Sequence, residues 1–298
     1  MPRKVIVALA LVTATFVAAA LAQEKGLRIE SKDSIALESF SEGTGPTIVM
    51  LGGGTPGAAE FAPHAHALAS SFRVVRLQTL NIDRSQKRQP LPSGYSVKLE
   101  SAAMARSLDQ LGLTTPVDLV GHSFGALVAL DFPLDHADRV RTLVLAEPPA
   151  FWVVSPEELH ATADMRAMYE LGREFGPTDE PTDEQYVRFL CALGNCGVKP
   201  PSRTEAGWEE WVSRRSALRG LSVVSAHVDD INRLKTFRRP VLIVTGSNTV
   251  SFHRRINEIL ATHFPMVERV ELPGGHGASA SAQEEFVNKM RAFIAQHP

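Results

Sequence analysis

Strands alternating with helices along 298 residues predict an α/β fold, with a mostly parallel sheet wrapped by helices on both faces. Three observations carry that expectation. Short, mainly apolar runs such as 47–51 and 117–122 have the length and composition of strands buried on both sides. Between such runs stand stretches of helical period, 97–111 above all, where Leu99, Ala102, Ala103, Met104, Ala105 and Leu108 give a broad apolar face. One strand-like run ends in Gly121-His122-Ser123-Phe124-Gly125 and passes directly into a helix-like segment.

Composition bounds the rest. With 44% hydrophobic and 21% charged residues the chain has ordinary globular balance and length enough for one large core. A formal net charge of -2 and no long block of like charge leave no basic footprint, so nucleic acid is not an expected partner. Arg3 and Lys4 precede an apolar run over 5–21, and Ala20-Leu21-Ala22 stands before Gln23. That is the pattern of a signal peptide over 1–22 with an A-x-A cleavage site, although the run also reaches the low end of a membrane span. Cleavage predicts a secreted or periplasmic protein with no stable membrane association. The only cysteines, Cys191 and Cys196, could pair in such an oxidising compartment.

In chain order, 27–30 and 35–40 alternate and read as a hairpin at a sheet edge, followed by strand 47–51. An Ala-rich helix over 59–70, a strand over 72–77 and a polar loop over 79–95 lead to the helix 97–111. Strands follow at 117–122 and 141–146, and Glu147-Pro148-Pro149 then breaks the pattern. From 150 to 235 there is no convincing strand, so this region reads as a helical insertion. Strands at 241–245 and 267–272 and an amphipathic helix over 282–295 close the chain. The expected organisation is a core of 23–147 and 236–298, interrupted by a helical lid over 148–235.

Three elements carry chemistry. Ser123 in its Gly-x-Ser-x-Gly turn fits a nucleophile elbow, where small neighbours permit a sharp strand-to-helix turn and the helix start aims free N–H groups at a developing anion. Gly52-Gly53-Gly54-Thr55-Pro56-Gly57 follows a buried strand and has two readings. As an oxyanion turn it supplies the N–H of Gly54 beside that of Phe124. As a dinucleotide fingerprint it requires an acidic residue about 20 positions on, where Arg76 and Gln78 stand instead. His276, in Gly274-Gly275-His276-Gly277 past the last strand, is placed to take and return the Ser123 proton. The other histidines lack such a loop, and adjacency suggests that His122 points away from Ser123.

With Gly-His-Ser-Phe-Gly on the elbow, a Gly-rich turn after an early parallel strand and Gly-Gly-His before the last helix, the sequence resembles the α/β-hydrolase family over most of 27–297. The resemblance implies an eight-stranded, mostly parallel sheet, a lid between its sixth and seventh strands, and a Ser, acid, His triad in that order. Gly52 stands where many members carry His, which leaves the backbone donor intact. Members usually place Asp shortly after the seventh strand, yet 246–251 holds no carboxylate. Some relatives, including a subset of haloalkane dehalogenases, carry the acid at the end of the sixth strand, which here is Glu147. Asn248 could hold the imidazole without charge, while Asp229 and Asp230 read as caps or solvated groups. The resemblance thus implies Ser123 as nucleophile, His276 as base, Glu147 as acid, and Gly54 and Phe124 as oxyanion donors, with no metal or organic cofactor. The expected function is a secreted serine hydrolase acting on a small-molecule carboxylic ester or lactone, with the oligomeric state left open. Alternatives within the fold are an amidase or peptidase and a cofactor-free haloperoxidase. From other classes they are an NADP-binding oxidoreductase and a non-catalytic ligand receptor.

Overall fold

The computed structural model describes residues 34–298. The expected signal peptide over 1–22 and the strand expected over 27–30 lie outside the described residues. The sheet is built from β1 (Glu38–Glu42), β2 (Thr47–Leu51), β3 (Arg73–Gln78), β4 (Val117–His122), β5 (Val140–Ala146), β6 (Val241–Gly246) and β7 (Val267–Leu272), in the order β1-β3-β2-β4-β5-β6-β7. Only β1 runs antiparallel, against β3. The described residues therefore hold seven strands, against the eight that the resemblance implies. Of the expected hairpin only 35–40 is described: β1 begins at Glu38 and pairs with β3, with Glu38 opposite Gln78.

Alternation along each strand feeds two cores. On one face of the sheet Ile48, Met50, Val120 and Val144 pack against α1 (Ala62–Leu68) and the apolar side of the C-terminal helix. On the other, Val49, Leu51, Leu119 and Leu143 meet the remaining core helices and the insertion. Every position of β4 and β6 is buried, whereas β7 leaves Glu268, Arg269 and Glu271 exposed at the sheet edge. The one carboxylate inside β4, Asp118, is fully buried and accepts hydrogen bonds from Arg141 Nε at 3.0 Å and Thr142 Oγ1 at 2.8 Å.

After β3 the chain forms α2 (Leu80–Gln86), then α3 (Val97–Gln110) and, beyond β4, α4 (Ser123–Asp135). The helix α2 corrects the polar loop expected over 79–95. Its buried side includes Asn81, Asp83 and Ser85, so no apolar period betrays it. Its first N–H group, that of Leu80, is held by both carboxylate oxygens of buried Glu100 in α3, at 2.9 and 3.1 Å. A tertiary contact thus does what a local cap usually does.

Between β5 and β6 the regular structure is helical: α5 (Pro156–Leu159), α6 (Ala163–Arg173), α7 (Asp183–Ala192), α8 (Trp208–Ser216) and α9 (Ser222–Ala226). Cys191 and Cys196 are bonded to each other at the end of α7. The chain closes with α10 (Ser251–His263), α11 (Ala278–Ser281) and α12 (Gln283–Gln296). Among the described residues no helix is long and apolar enough to cross a membrane.

Strand order decides where a ligand can enter. From β2 the chain steps to β3 on one side and then to β4 on the other. Such a reversal opens a crevice at the carboxyl ends of the two strands, here just past Leu51 and His122.

Candidate active site

Both loops bordering that crevice belong to the motifs. At the end of β4, His122 is extended (φ -123, ψ 138) and Ser123 turns to a positive φ of 52 before α4 begins. Glycine is required on either side. A Cβ at Gly121 would lie 2.5 Å from the Cα of Ala126, and one at Gly125 would lie 2.3 Å from the carbonyl oxygen of Leu51. The close passage of α4 over β2 is what forces the nucleophile-like serine outward.

Ser123, His276 and Glu147 come together in one hydrogen-bonded line. The Oγ of Ser123 lies 3.0 Å from Nε2 of His276, and Nδ1 of His276 lies 2.8 Å from Oε2 of Glu147. Glu147 directly follows β5 and is 2% exposed, with φ 49. Among the described residues only three other than glycine have positive φ, namely Arg88, Ser123 and Glu147. Strain concentrates at two members of this line, as it does where side-chain placement outweighs backbone preference.

The carboxylate of Glu147 reaches across to the neighbouring strand. Its Oε1 accepts the N–H of Gly246, the last residue of β6, and its Oε2 accepts the Thr249 hydroxyl, both at 2.8 Å. The loop after β6 thus contributes donors, and the Glu147 carboxylate arrives from the end of β5 to lie between them. Asn248 is engaged through its backbone N–H, which donates to the Gly274 carbonyl at 2.8 Å. Asp230 caps the turn Ile231–Thr236 through the N–H of Asn232, and Asp229 pairs with Lys98 and Arg233; neither joins the line.

Burial holds His276 below the ordinary histidine range; Glu147 opposes this and the charge on His122 reinforces it. His253, from α10, stacks on His276 with ring centroids 4.2 Å apart and planes 10° apart, and burial keeps it well below that range too. His122, as adjacency suggests, points away from the Ser123 hydroxyl. Its Nε2 donates to the carbonyl of His276 at 2.8 Å, and its ring centroid lies 4.8 Å from that of His276. Adjacency to Ser123 turns its side chain away from the hydroxyl but toward the loop that carries His276. Glu60, which carries no motif of its own, meets His122 Nδ1 at 2.6 Å.

Gly54 and Phe124 flank Ser123 at the mouth of a pocket of about 480 Å³. A Cβ at Gly54 would lie 3.2 Å from that of Phe124, so the two backbones are in close approach. The Gly54 carbonyl accepts a hydrogen bond from Asn81 Nδ2 at 2.8 Å. Phe124 lies in the first turn of α4, where N–H groups lack helical partners. The Gly-rich turn therefore borders Ser123, the placement required of an oxyanion turn. Its sequel is a short turn of 3₁₀ helix, Gly57–Phe61, instead of the long helix a dinucleotide site opens. The pocket wall is apolar, including Phe151, Met168, Phe175, Phe189, Leu193, Leu221, Val224 and Phe252. Its Ser225 hydroxyl is spent on the Tyr169 carbonyl.

Among the described residues two groups bring metal-type donor atoms within 4.8 Å of one another: Glu147, His253 and His276, and Asp131, His227 and Asp229. In the first, both nitrogens of His276 are already bonded. In the second, Lys98 Nζ sits 2.8 Å from Asp131 and supplies the positive charge.

A serine held at a strained elbow, hydrogen-bonded to a histidine that is oriented by a buried carboxylate, on a parallel sheet at its switch point, defines the class. The family described as alpha/beta hydrolase fold matches residues 46–281, and the chain belongs to it. A Caulobacter segnis protein, provisionally named carbamate hydrolase RutD, is 36% identical over 84% of this chain and 92% of its own. Cis-3-alkyl-4-alkyloxetan-2-one decarboxylase of Xanthomonas campestris is 22% identical over 91% of this chain and 96% of its own. A solved hydrolase from Pseudomonas aeruginosa superposes with a TM-score of 0.67 at 20% identity, over 89% of this chain and 96% of that one.

Proposed function

We propose that this member of the alpha/beta hydrolase family is an exported serine hydrolase that cleaves carboxylic esters or lactones through an acyl-Ser123 intermediate. The observation that carries the reading is the Ser123–His276–Glu147 line opening onto an apolar pocket. His276 Nε2 takes the hydroxyl proton as Oγ bonds to the substrate carbonyl carbon, and Glu147 pairs with the imidazolium that forms. The N–H groups of Gly54 and Phe124 receive the oxyanion, each contributing about 3 kcal/mol of barrier lowering. Collapse breaks the bond to the alcohol oxygen, which leaves with the proton from His276. Water, deprotonated by the same histidine, then releases the acid.

Apolar walls with few free polar atoms favour a hydrocarbon acyl group. The names of two relatives refer to substrates with an acyl carbon, a carbamate for a hydrolase and, for a decarboxylase, an oxetan-2-one, which is a cyclic ester. The test is a series of p-nitrophenyl esters from acetate to decanoate, with a carbamate alongside, and fluorophosphonate labelling read by mass. Label on Ser123 and kcat/KM that rises and then falls with chain length are expected. Ser123→Ala should remain folded and lose nearly all turnover, and activity within about tenfold of the parent would sink the serine mechanism. Export rests on the leading sequence; an intact mass of the exported chain beginning at Gln23 is expected, and one retaining Met1 refutes it.

A further inference from the structure

His122 occupies the elbow position before Ser123, is 5% exposed, and has an oxygen close to each ring nitrogen, the one at Nε2 hydrogen-bonded and the one at Nδ1 at ion-pair distance. Its Nε2 faces the backbone carbonyl oxygen of His276 at 2.8 Å, and its Nδ1 faces Oε1 of Glu60 at 2.6 Å. The other oxygen of Glu60 accepts the N–H of Gly53 at 2.7 Å, inside the Gly-rich turn. One chain of contacts therefore runs from the oxyanion turn through Glu60 and His122 to the loop that holds the base. The carbonyl oxygen of His276 can only accept, so Nε2 carries a hydrogen, and the 2.6 Å contact of Nδ1 with Glu60 becomes an ion pair only when the ring is protonated.

We propose that His122 is a positioning residue which, as an imidazolium paired with Glu60 and hydrogen-bonded to the His276 carbonyl, locks the base loop to the oxyanion turn. Deprotonation removes the charge that pairs with Glu60 and releases that lock. The idea rests on the reading of Ser123 and His276 given above.

Charge around the ring supports the assignment. Burial works against a cation at His122, yet Glu60 outweighs it and the group is pushed up to about 9. Glu60, although burial favours its neutral form, is drawn below the ordinary carboxylate range by His122. The remaining groups facing this pair are Glu147 after β5, His276 after β7, His64 of α1 and His253 of α10. Burial holds all three of those histidines low, so they bring no competing cation. The lock matters because His276 sits between glycines, where the backbone resists little, and a misplacement of about 1 Å in such a group costs about 10²-fold in rate.

The experiment follows kcat and KM from about pH 5 to about pH 10 for the parent, Glu60→Gln and His122→Gln, corrected for spontaneous hydrolysis. Fluorophosphonate titration of Ser123 in the same samples counts competent sites. In the parent, kcat should fall about tenfold or more on an alkaline limb near pH 9, with KM changing less than about threefold. Glu60→Gln keeps an acceptor for Gly53 but loses the charge, so its limb should move down by about one pH unit or more. His122→Gln should be slower throughout and lack the limb. A parent with flat kcat to about pH 10, or a limb unmoved in Glu60→Gln, overturns the proposal. Should both variants fail to fold, ¹⁵N resonances of the parent decide. Two ring N–H groups on His122, lost together with kcat, uphold the lock, and a single ring N–H at about pH 7 overturns it. A parent whose Ser123 takes no label fails the hydrolase reading itself, whereas a labelled, active parent with an unmoved limb fails only this inference.

Discussion

At the scale of single residues, His276 is tuned by what surrounds it. Burial lowers the pKa of His276, Glu147 pulls the other way, and the neighbouring His122 cation adds to the lowering. A depressed value keeps the imidazole neutral, and thus competent as a base, at lower pH than an ordinary histidine allows. The acid limb of kcat/KM should accordingly lie below about pH 6.5, activity falling as pH drops through the His276 value. The stability sign agrees: with the folded pKa below the unfolded one, the contribution is present above the unfolded value and lost as pH falls. A pH profile whose acid limb lies above the ordinary histidine range would contradict this environment. Glu147 is held by Gly246 and Thr249 and in turn holds Nδ1 of His276, so Glu147→Gln should cut kcat by about 10³ to 10⁴. Asn248→Ala, whose side chain has no place in the line, should change kcat little, and the reverse ranking would move the acid role to the loop after β6. Glu147 was accessible to sequence reasoning because 246–251 lacks a carboxylate and the preceding strand ends in one. His122 was not, since the rule that adjacent side chains diverge says nothing about a loop arriving 154 residues later. Glu60 carried no signal, because its partner becomes visible only when the oxyanion turn and the elbow are in contact.

Elements show why some of the architecture is written in the chain and some is not. Central strands are buried on both faces, so β2, β4 and β6 appear as apolar runs whose bounds match or nearly match the expected ones. By contrast α2 hides Asn81, Asp83 and Ser85 inside the fold and draws its first-turn acceptor from Glu100, leaving a sequence that looks like a solvated loop. The elbow is the tightest junction. The carbonyl oxygens of Leu51 and Gly52 lie 2.3 and 2.4 Å from where a Cβ on Gly125 would stand, and both belong to backbone that cannot swing aside. Gly125→Ala must therefore push α4 away from β2 or distort the oxyanion turn. A loss of about 1 to 3 kcal/mol is expected. At about 2 to 4 °C per kcal/mol for a chain near this size, that appears as a Tm lower by about 2 to 12 °C. Loss of kcat should accompany it, because the same displacement shifts Gly54 relative to Ser123. A variant with parental Tm and parental kcat would show that the junction has slack the distances deny.

For the molecule as a whole, the question is how the helices inserted after β5 are tied back to the core, and the answer is a charge cluster with no counterpart in sequence pattern. Asp131 of α4 is fully buried at its side chain, with Lys98 of α3 at 2.8 Å and His227 at 3.3 Å. Lys98 also reaches Asp135 at 3.0 Å and Asp229 at 3.1 Å, a residue 131 positions away. Arg233 closes the cluster, 2.8 Å from Asp229 and donating to the Leu134 carbonyl at 2.6 Å. The segment returning to β6 is thereby fastened to α3 and α4 near their ends. Removing the cation alone leaves Asp131 buried with only His227 beside it. Breaking a buried pair in this way costs about 3 to 5 kcal/mol, and less here because Lys98 is 43% exposed and its charge is screened. Lys98→Met should thus cost about 2 kcal/mol, or about 4 to 8 °C in Tm. Asp131→Asn, which removes the buried charge itself, should cost less. The double variant should be no worse than Asp131→Asn alone, since Lys98 then has no buried partner to lose. Raised salt should narrow the gap between parent and Lys98→Met only in part, because Asp131 is out of reach of the solvent that screens Lys98. Calorimetry of the four proteins decides the matter. Equal Tm for parent and Lys98→Met, or losses that simply add in the double variant, would mean that the insertion is held by its apolar contacts and that the cluster is incidental to it.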